Sequence, residues 1–264
     1  MPFTLSHAAA VLPLIEGARA RGPWVASALV AGAFAPDVPF FLESVVPGTF
    51  GLGGPAHRWW AVPTVDVAVA GGLVLAWHGL VRRPVVALLP EPWAGVAEAA
   101  TVVRGGWREP GRGWWFVASA AVGAASHVGW DAFTHGGAAG VRLFPVLGRG
   151  VAGAPVYDLL QYGTSVVGLG CLGWHLRGVA RGERREVVTL SARARRGVLG
   201  GLVAATVGGA AARLARGERD VVAELCFGAG AGLGVGVLAY ALGSRVVEAR
   251  EGREGVSDGR KVRV

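Results

Sequence analysis

"GWWFVASAAVGAASHVGWDAFTH", residues 113–135, carries no charged side chain from Trp114 to Ser126 and then places His127, Asp131 and His135 in its last turns. The run is about 20 residues long, the length a helix needs to cross roughly 30 Å of hydrocarbon. The three polar groups fall at i, i+4 and i+8, a spacing that lines them up along one stripe of a helix. An ionisable side chain at membrane depth costs a few kcal/mol at least, so each one needs a partner or a wet cavity. This stretch therefore predicts a transmembrane helix that presents a polar site.

The rest of the chain agrees with that setting. Of 264 residues, 52% are hydrophobic and 17% charged, with a mean hydropathy of +0.46. Those values lie outside the usual range of soluble domains. Low-charge runs recur at 24–45, 61–81, 114–134, 156–176, 196–212 and 221–243. The expected fold is an all-α integral membrane bundle of about six transmembrane helices, with a shorter apolar helix at about residues 4–18. The N-terminal stretch "MPFTLSHAAAVLPLIEG" lacks a basic leader and a small-residue cleavage site, so it is expected to stay in the mature fold. Residues 1–244 form the expected polytopic domain, with the site in 1–180 and structural helices in 196–243. Residues 245–264 read as a disordered, charged cytoplasmic tail.

The net charge of +8 does not point to nucleic acid, because the arginines flank apolar runs instead of forming one basic face. Placing the start of the first full span inside puts 20 of the 26 basic residues on the cytoplasmic side. That bias follows the positive-inside rule and predicts a multi-pass protein of the cell membrane. The segment 82–113, interrupted by Pro84, Pro90, Pro92 and Pro110, reads as a cytoplasmic interfacial helix. Tryptophans near span ends, such as Trp59, Trp60, Trp114 and Trp174, read as interfacial anchors. Cys171 and Cys226 have no CxxC spacing and suggest neither a disulfide framework nor a thiolate site.

Further polar residues gather around the opening stripe. HxxxD on one helix can present two ligands to a metal. Counting helical rise from the turn "RARGP" at 19–23, His7 and Asp37 reach about 18–21 Å, and His127, counted from Gly113, reaches about 21 Å. His57, Asp66, Asp158 and Gln161 approach from the outer end, and Asp158, Gln161 and Ser165 share a helix face. In "APDVPFF" at 35–41, Pro36 and Pro39 bracket Asp37 and predict a broken helix with freed carbonyls. The plainer alternatives are a simple proline kink at Asp37 and a helix-gluing pair between His127 and Asp131. His78 and His175 sit near span ends and read as interfacial.

"MPFTLSHAAAVLPL", "APDVPFF", "HVGWDAFTH" and "LLQYGTS" closely resemble the bacterial membrane family called domain of unknown function 4184, over about residues 1–180. More distantly, the order of His, Pro-Asp, His and HxxxD is similar to inner-membrane metal-dependent hydrolases related to zinc-dependent phospholipase C. That resemblance implies His7, Asp37, His57, His127 and Asp131 as metal ligands. The chain departs from it in two places: Val38-Pro39 stands where a second acid is typical, and "HRWWAVPT" replaces a fuller His-Arg-Gly-x-Thr-His loop.

The expected function is a membrane-embedded hydrolase that uses a divalent metal, zinc first, on a phosphoester or other polar bond of a lipidic substrate. His135 would act as general acid or position substrate, and Asp158 and Gln161 would supply hydrogen bonds. The alternative is a transporter or scaffold whose His/Asp cluster relays protons or fixes helix packing. An isoprenoid diphosphate enzyme fits less well, since the chain has no DDxxD-like run.

Overall fold

A computed structural model describes residues 3–102, 111–217 and 220–261, with side chains of the last helix described as far as Val247. Pro110 and the basic residues Arg104, Arg108, Arg219 and Arg263 lie outside the described residues. Among the described residues the regular structure is helical apart from two short hairpins. A 3₁₀ helix, Thr4–Leu14, opens the fold and turns through the hairpin of β1 (Ile15–Glu16) and β2 (Arg19–Ala20), where a continuous helix over 4–18 was expected.

Helix α1 (Ala26–Phe34) tightens into a 3₁₀ turn at Ala35–Asp37 before α2 (Val38–Leu42). Pro36 explains the change, because it has no N–H to continue the helical ladder. After the short α3 (Gly53–Ala56), the chain enters α4 (Val65–Ala76), a π-helical turn at Trp77–Val81 and α5 (Arg82–Leu88). These three form one helix, Val65–Leu88. The expected boundary at residue 81 is thus passed by seven residues: the π turn re-spaces the hydrogen bonds ahead of Pro84, and buried Arg82 pairs with Glu98 of α6 (Trp93–Thr101) at 2.8 Å.

Helix α7 (Arg112–Thr134) starts after Gly111, whose φ of 78° favours glycine. The short α8 (Ala139–Leu143) and the hairpin of β3 (Gly150–Val151) and β4 (Ala154–Pro155) lead to α9 (Val156–Val179). Ser191 Oγ accepts from the Ala194 N–H and caps α10 (Ala192–Leu214), which turns back into α11 (Val221–Lys261). The backbone of α11 runs as helix through 245–261, the stretch whose composition suggested disorder; beyond Val247 its side chains lie outside the described set.

Among the described residues, three helices are long and apolar enough to cross a membrane: Val65–Leu88, Ala192–Leu214 and Val221–Val247. Helices also occupy the other three expected spans, but Ala26–Leu42 is shorter, and α7 and α9 carry the polar residues of the site. The chain thus has the composition of a membrane protein, with three qualifying spans where about six were expected.

Small residues bring α1 and α7 together. A Cβ on Gly123 would lie 2.2 Å from the Leu29 carbonyl oxygen, and one on Gly32 would lie 2.1 Å from that of Ala120. Both distances are impossible for real atoms, so this crossing requires glycine on each side. Ala28, Ala31, Ala35, Ala70, Val74 and Ala120 fill the seam between α1, α4 and α7. The N-terminal helix packs against α1, α7 and α9, while α10 and α11 pair with each other and rest on α2 and α5 through α11.

Candidate metal centre

The 3₁₀ turn that Pro36 imposes points Asp37 inward, where it is 1% exposed. Its Oδ2 accepts a hydrogen bond from Thr4 Oγ1 at 2.5 Å, which leaves Oδ1 toward the bundle interior. There it meets His57 Nε2 at 3.4 Å and His127 Nε2 at 3.5 Å. Asp131, one turn after His127 on α7, places Oδ2 at 3.4 Å from each of the same two nitrogens. One donor atom from each of Asp37, His57, His127 and Asp131 thus falls within 4.8 Å of all the others.

These spacings are longer than direct charge-assisted hydrogen bonds. Charge-assisted hydrogen bonds between nitrogen and carboxylate run at about 2.7–2.9 Å, and four contacts here lie at 3.4–3.5 Å. Ligands held at about 2.0–2.2 Å in a tetrahedron are separated by about 3.3–3.6 Å, the edge of the figure. Four of the six pairs among these donors lie at that spacing, and all six lie within 4.8 Å. In addition, His127 Nε2 and Asp37 Oδ1 are buried with no hydrogen-bond partner, an unusual state for buried polar atoms unless an ion satisfies them.

The imidazoles are oriented from behind. His127 Nδ1 lies 2.7 Å from the carbonyl oxygen of Ala33, in the last turn of α1, and His57 Nδ1 lies 2.8 Å from that of Gly53, at the start of α3. An Nδ1–H that donates to each carbonyl leaves each Nε2 with its lone pair facing the cluster, the arrangement usual for metal-ligating histidines. Two imidazoles and two carboxylates, none able to donate from the inward atoms in this state, form a donor set that could hold a divalent cation.

His7 joins the edge of the group. Its Nε2 lies 3.4 Å from Asp131 Oδ1, and its ring stacks on His127 with centroids 3.6 Å apart and 15° between planes. His135 stands at the C-terminal end of α7 with Nδ1 3.7 Å from Asp131 Oδ2, and its side chain is 36% exposed. Gln161 Nε2 approaches His135 Nε2 at 3.5 Å. The face of α9 that holds Gln161 also holds Ser165, which lies 3.5 Å from Ser6. Asp158 is half-buried in the first turn of α9, and among the described residues no hydrogen bond or ion pair links it to the cluster. Asp66, in the first turn of α4, is fully buried with no hydrogen-bond partner for either oxygen.

A clamp supports the loop that carries His57. The ring of Phe40 lies 5.6 Å from His57 and 4.9 Å from Phe50. Arg213 of α10 sits over the Phe50 and Phe227 rings and makes a buried bidentate pair with Glu224 of α11. Glu43 accepts from the Phe50 N–H at 2.8 Å, and that bond holds its carboxyl below the usual glutamate range. Arg216 donates to the Glu43 carbonyl at 3.3 Å.

The model of the family described as Domain of unknown function (DUF4184) matches residues 1–242. The chain is a DUF4184 protein. The match takes in every residue of the cluster, all of α10 and the first half of α11, well past the 1–180 covered by the sequence resemblance. No curated protein and no solved structure matches this DUF4184 chain. Three supports of its cluster escaped sequence reading. Thr4 gave no signal beyond its place three residues before His7, and the Ala33 and Gly53 carbonyls belong to the backbone, where side-chain patterns say nothing.

Proposed function

We propose that this DUF4184 protein is a membrane-embedded, metal-dependent hydrolase that acts on a phosphoester or similarly polar bond of a lipidic substrate. The observation that carries the reading is the set of four 3.4–3.5 Å separations among Asp37, His57, His127 and Asp131, a spacing that ligands sharing one ion adopt. A divalent ion bound there, zinc by donor type, supplies Lewis acidity to a phosphoryl or carbonyl oxygen and makes water a stronger acid. His57 and His127 hold it through Nε2 and the two aspartates through one oxygen each.

The most open of the four is His57, with a side chain 20% exposed, so substrate enters on its side and on that of His135. In this role His135 moves a proton at its Nε2, and Gln161, beside that atom, orients the substrate by hydrogen bonding. Asp158, one turn before Gln161 on α9, offers a further hydrogen-bonding group to substrate in this reading. Trp59 and Trp60, two and three residues after His57, are 60% and 57% exposed and offer an apolar rim to an acyl chain. The arginine distribution orients this mouth outward.

Elemental analysis of protein purified in detergent, followed by assays with lipid phosphates, tests the proposal. About one tightly held metal ion per chain or more, lost in Asp37→Ala, together with turnover that needs the ion, supports it. Metal-free wild-type protein sinks it. That result would favour a proton relay or a scaffold, a reading that buried and unpartnered Asp66 makes specific.

A further inference from the structure

At the end of the bundle away from the metal centre, the turn of the β1–β2 hairpin, α6 and the end of α9 enclose a cavity of about 730 Å³. Val179, on its wall, closes α9, and Gln161 lies near the opposite end of that helix; helical rise separates the two by about 27 Å. The walls are fixed by local structure. Gly17 opens the two-residue hairpin turn with a φ of 57°, and Glu16 and Arg19 face each other across it. Ile15 anchors the hairpin in the core beside Val11 and Leu29. On the other side, the Arg185 N–H donates to the Gly95 carbonyl at 3.0 Å and ties the chain after α9 to α6.

Val96, Ala99, Ala100 and Val179 give the cavity an apolar floor, and Arg19 and Arg21 bring cations to its wall. The two glutamates on the wall are already engaged, Glu183 with Arg185 at 3.5 Å and Glu16 with Arg21 at 3.8 Å. Both side chains of the second pair are more than half exposed and the contact is long, so Arg21 gives up little in turning to a better anion. The segments that border the cavity, 16–22 and 177–185, carry six arginines against two glutamates. The surroundings therefore favour negative charge.

We propose that this cavity binds the headgroup of an anionic phospholipid, with Arg19 and Arg21 on the phosphate and the apolar floor against the glycerol and first acyl carbons. Guanidinium groups match phosphate oxygens in geometry as well as charge, and basic pockets between membrane helices take such headgroups. Arginines alone would attract any anion; the floor selects one that carries an apolar part. On the orientation proposed above, this end lies in the cytoplasmic headgroup layer. The candidate metal ligands are at the opposite end, so the lipid is held here as a partner and is not turned over.

The test uses the full chain, delipidated in a non-ionic detergent, incubated with phosphatidylglycerol or phosphatidylcholine, repurified and assayed for bound lipid by mass spectrometry. Wild type is expected to retain phosphatidylglycerol in preference to phosphatidylcholine, a comparison that depends on no variant. A basic residue near an anionic headgroup contributes about a fivefold change in affinity, so Arg19→Gln with Arg21→Gln should bind phosphatidylglycerol about 30-fold more weakly. Arg193→Gln with Arg196→Gln, which removes the same charge from α10 outside the cavity, should bind as wild type does, and thermal unfolding checks that both double variants fold. Asp37→Ala should also keep the lipid; its loss there places the lipid at the metal centre and overturns the proposal. Equal retention of the two lipids by wild type overturns it too, as does equal weakening in the two arginine variants. Full displacement by soluble glycerol 3-phosphate would make the ligand a free phosphate ester and overturn the lipid assignment.

Discussion

His127 and Asp131, one helical turn apart on α7, bring Nε2 and Oδ2 to 3.4 Å, and the same two residues meet Asp37 and His57 from other parts of the chain. A helix supplies such a pair cheaply, because residues four apart share a face. It cannot supply the opposite side of a tetrahedron. That side comes from a proline-tightened turn and a short loop helix, both set against α7 by the glycine crossing with α1.

Replacement of His127 by alanine removes one of the four candidate donors and leaves both aspartates short of a partner. Loss of a supporting group behind a ligand typically weakens metal affinity about 10–100-fold, and loss of the ligand itself should exceed that. Competition with a chromophoric chelator will measure it. Affinity unchanged from wild type would exclude His127 from the site.

Thr4→Val keeps the size of the side chain and deletes the hydroxyl that donates to Asp37 Oδ2. Metal affinity should fall about 10–100-fold as the carboxylate loses its fixed orientation, and Thr4→Ser should restore most of it. Thermal unfolding of the metal-free protein provides the control, since a general packing defect would lower the midpoint of Thr4→Val without metal present.

Much of this centre was legible because α-helical geometry maps spacing onto faces. HxxxD gave the His127–Asp131 pair, and counting rise placed Asp37 and His7 near the same depth as His127. His57 lies at the end of a four-residue helix after an irregular stretch, where no periodicity predicts direction, and only the family resemblance pointed to it as a ligand. The number of spans was less legible. Residues such as His127, Asp131 and Thr134 in α7, and Asp158 and Gln161 in α9, reduce the apolar character of the helices that build the site. The end of the second expected span was missed because a π turn makes room for Pro84, a residue that normally signals a stop.

Gly123→Ala should separate α1 from α7, since its new Cβ would meet the Leu29 carbonyl oxygen at 2.2 Å. Overpacking of this kind costs about 1–3 kcal/mol. The shift also carries the Ala33 carbonyl away from His127 Nδ1. Reduced thermal stability should therefore come with weaker metal binding. Gly113→Ala, where a Cβ meets open space, provides the control on the same helix.

The α10–α11 hairpin, which sequence alone marks only as structural, should influence the metal through Arg213. Arg213→Met strands Glu224 in a buried position, and breaking such a pair costs about 3–5 kcal/mol. Adding Glu224→Leu should recover most of that loss, because two apolar side chains of similar volume replace a buried pair at little cost. Metal affinity separates the two roles of Arg213: it also covers the Phe50 ring that backs Phe40 and His57, so the double variant should regain stability while His57 stays less firmly held. Acid should loosen the same loop through Glu43. Its carboxyl titrates below the ordinary range because the Phe50 N–H donates to it, so its contribution is present above that range and disappears as pH falls through the lowered value. Glu43→Gln should therefore flatten the acid limb of metal retention relative to wild type; identical curves for the two proteins would remove Glu43 from the clamp.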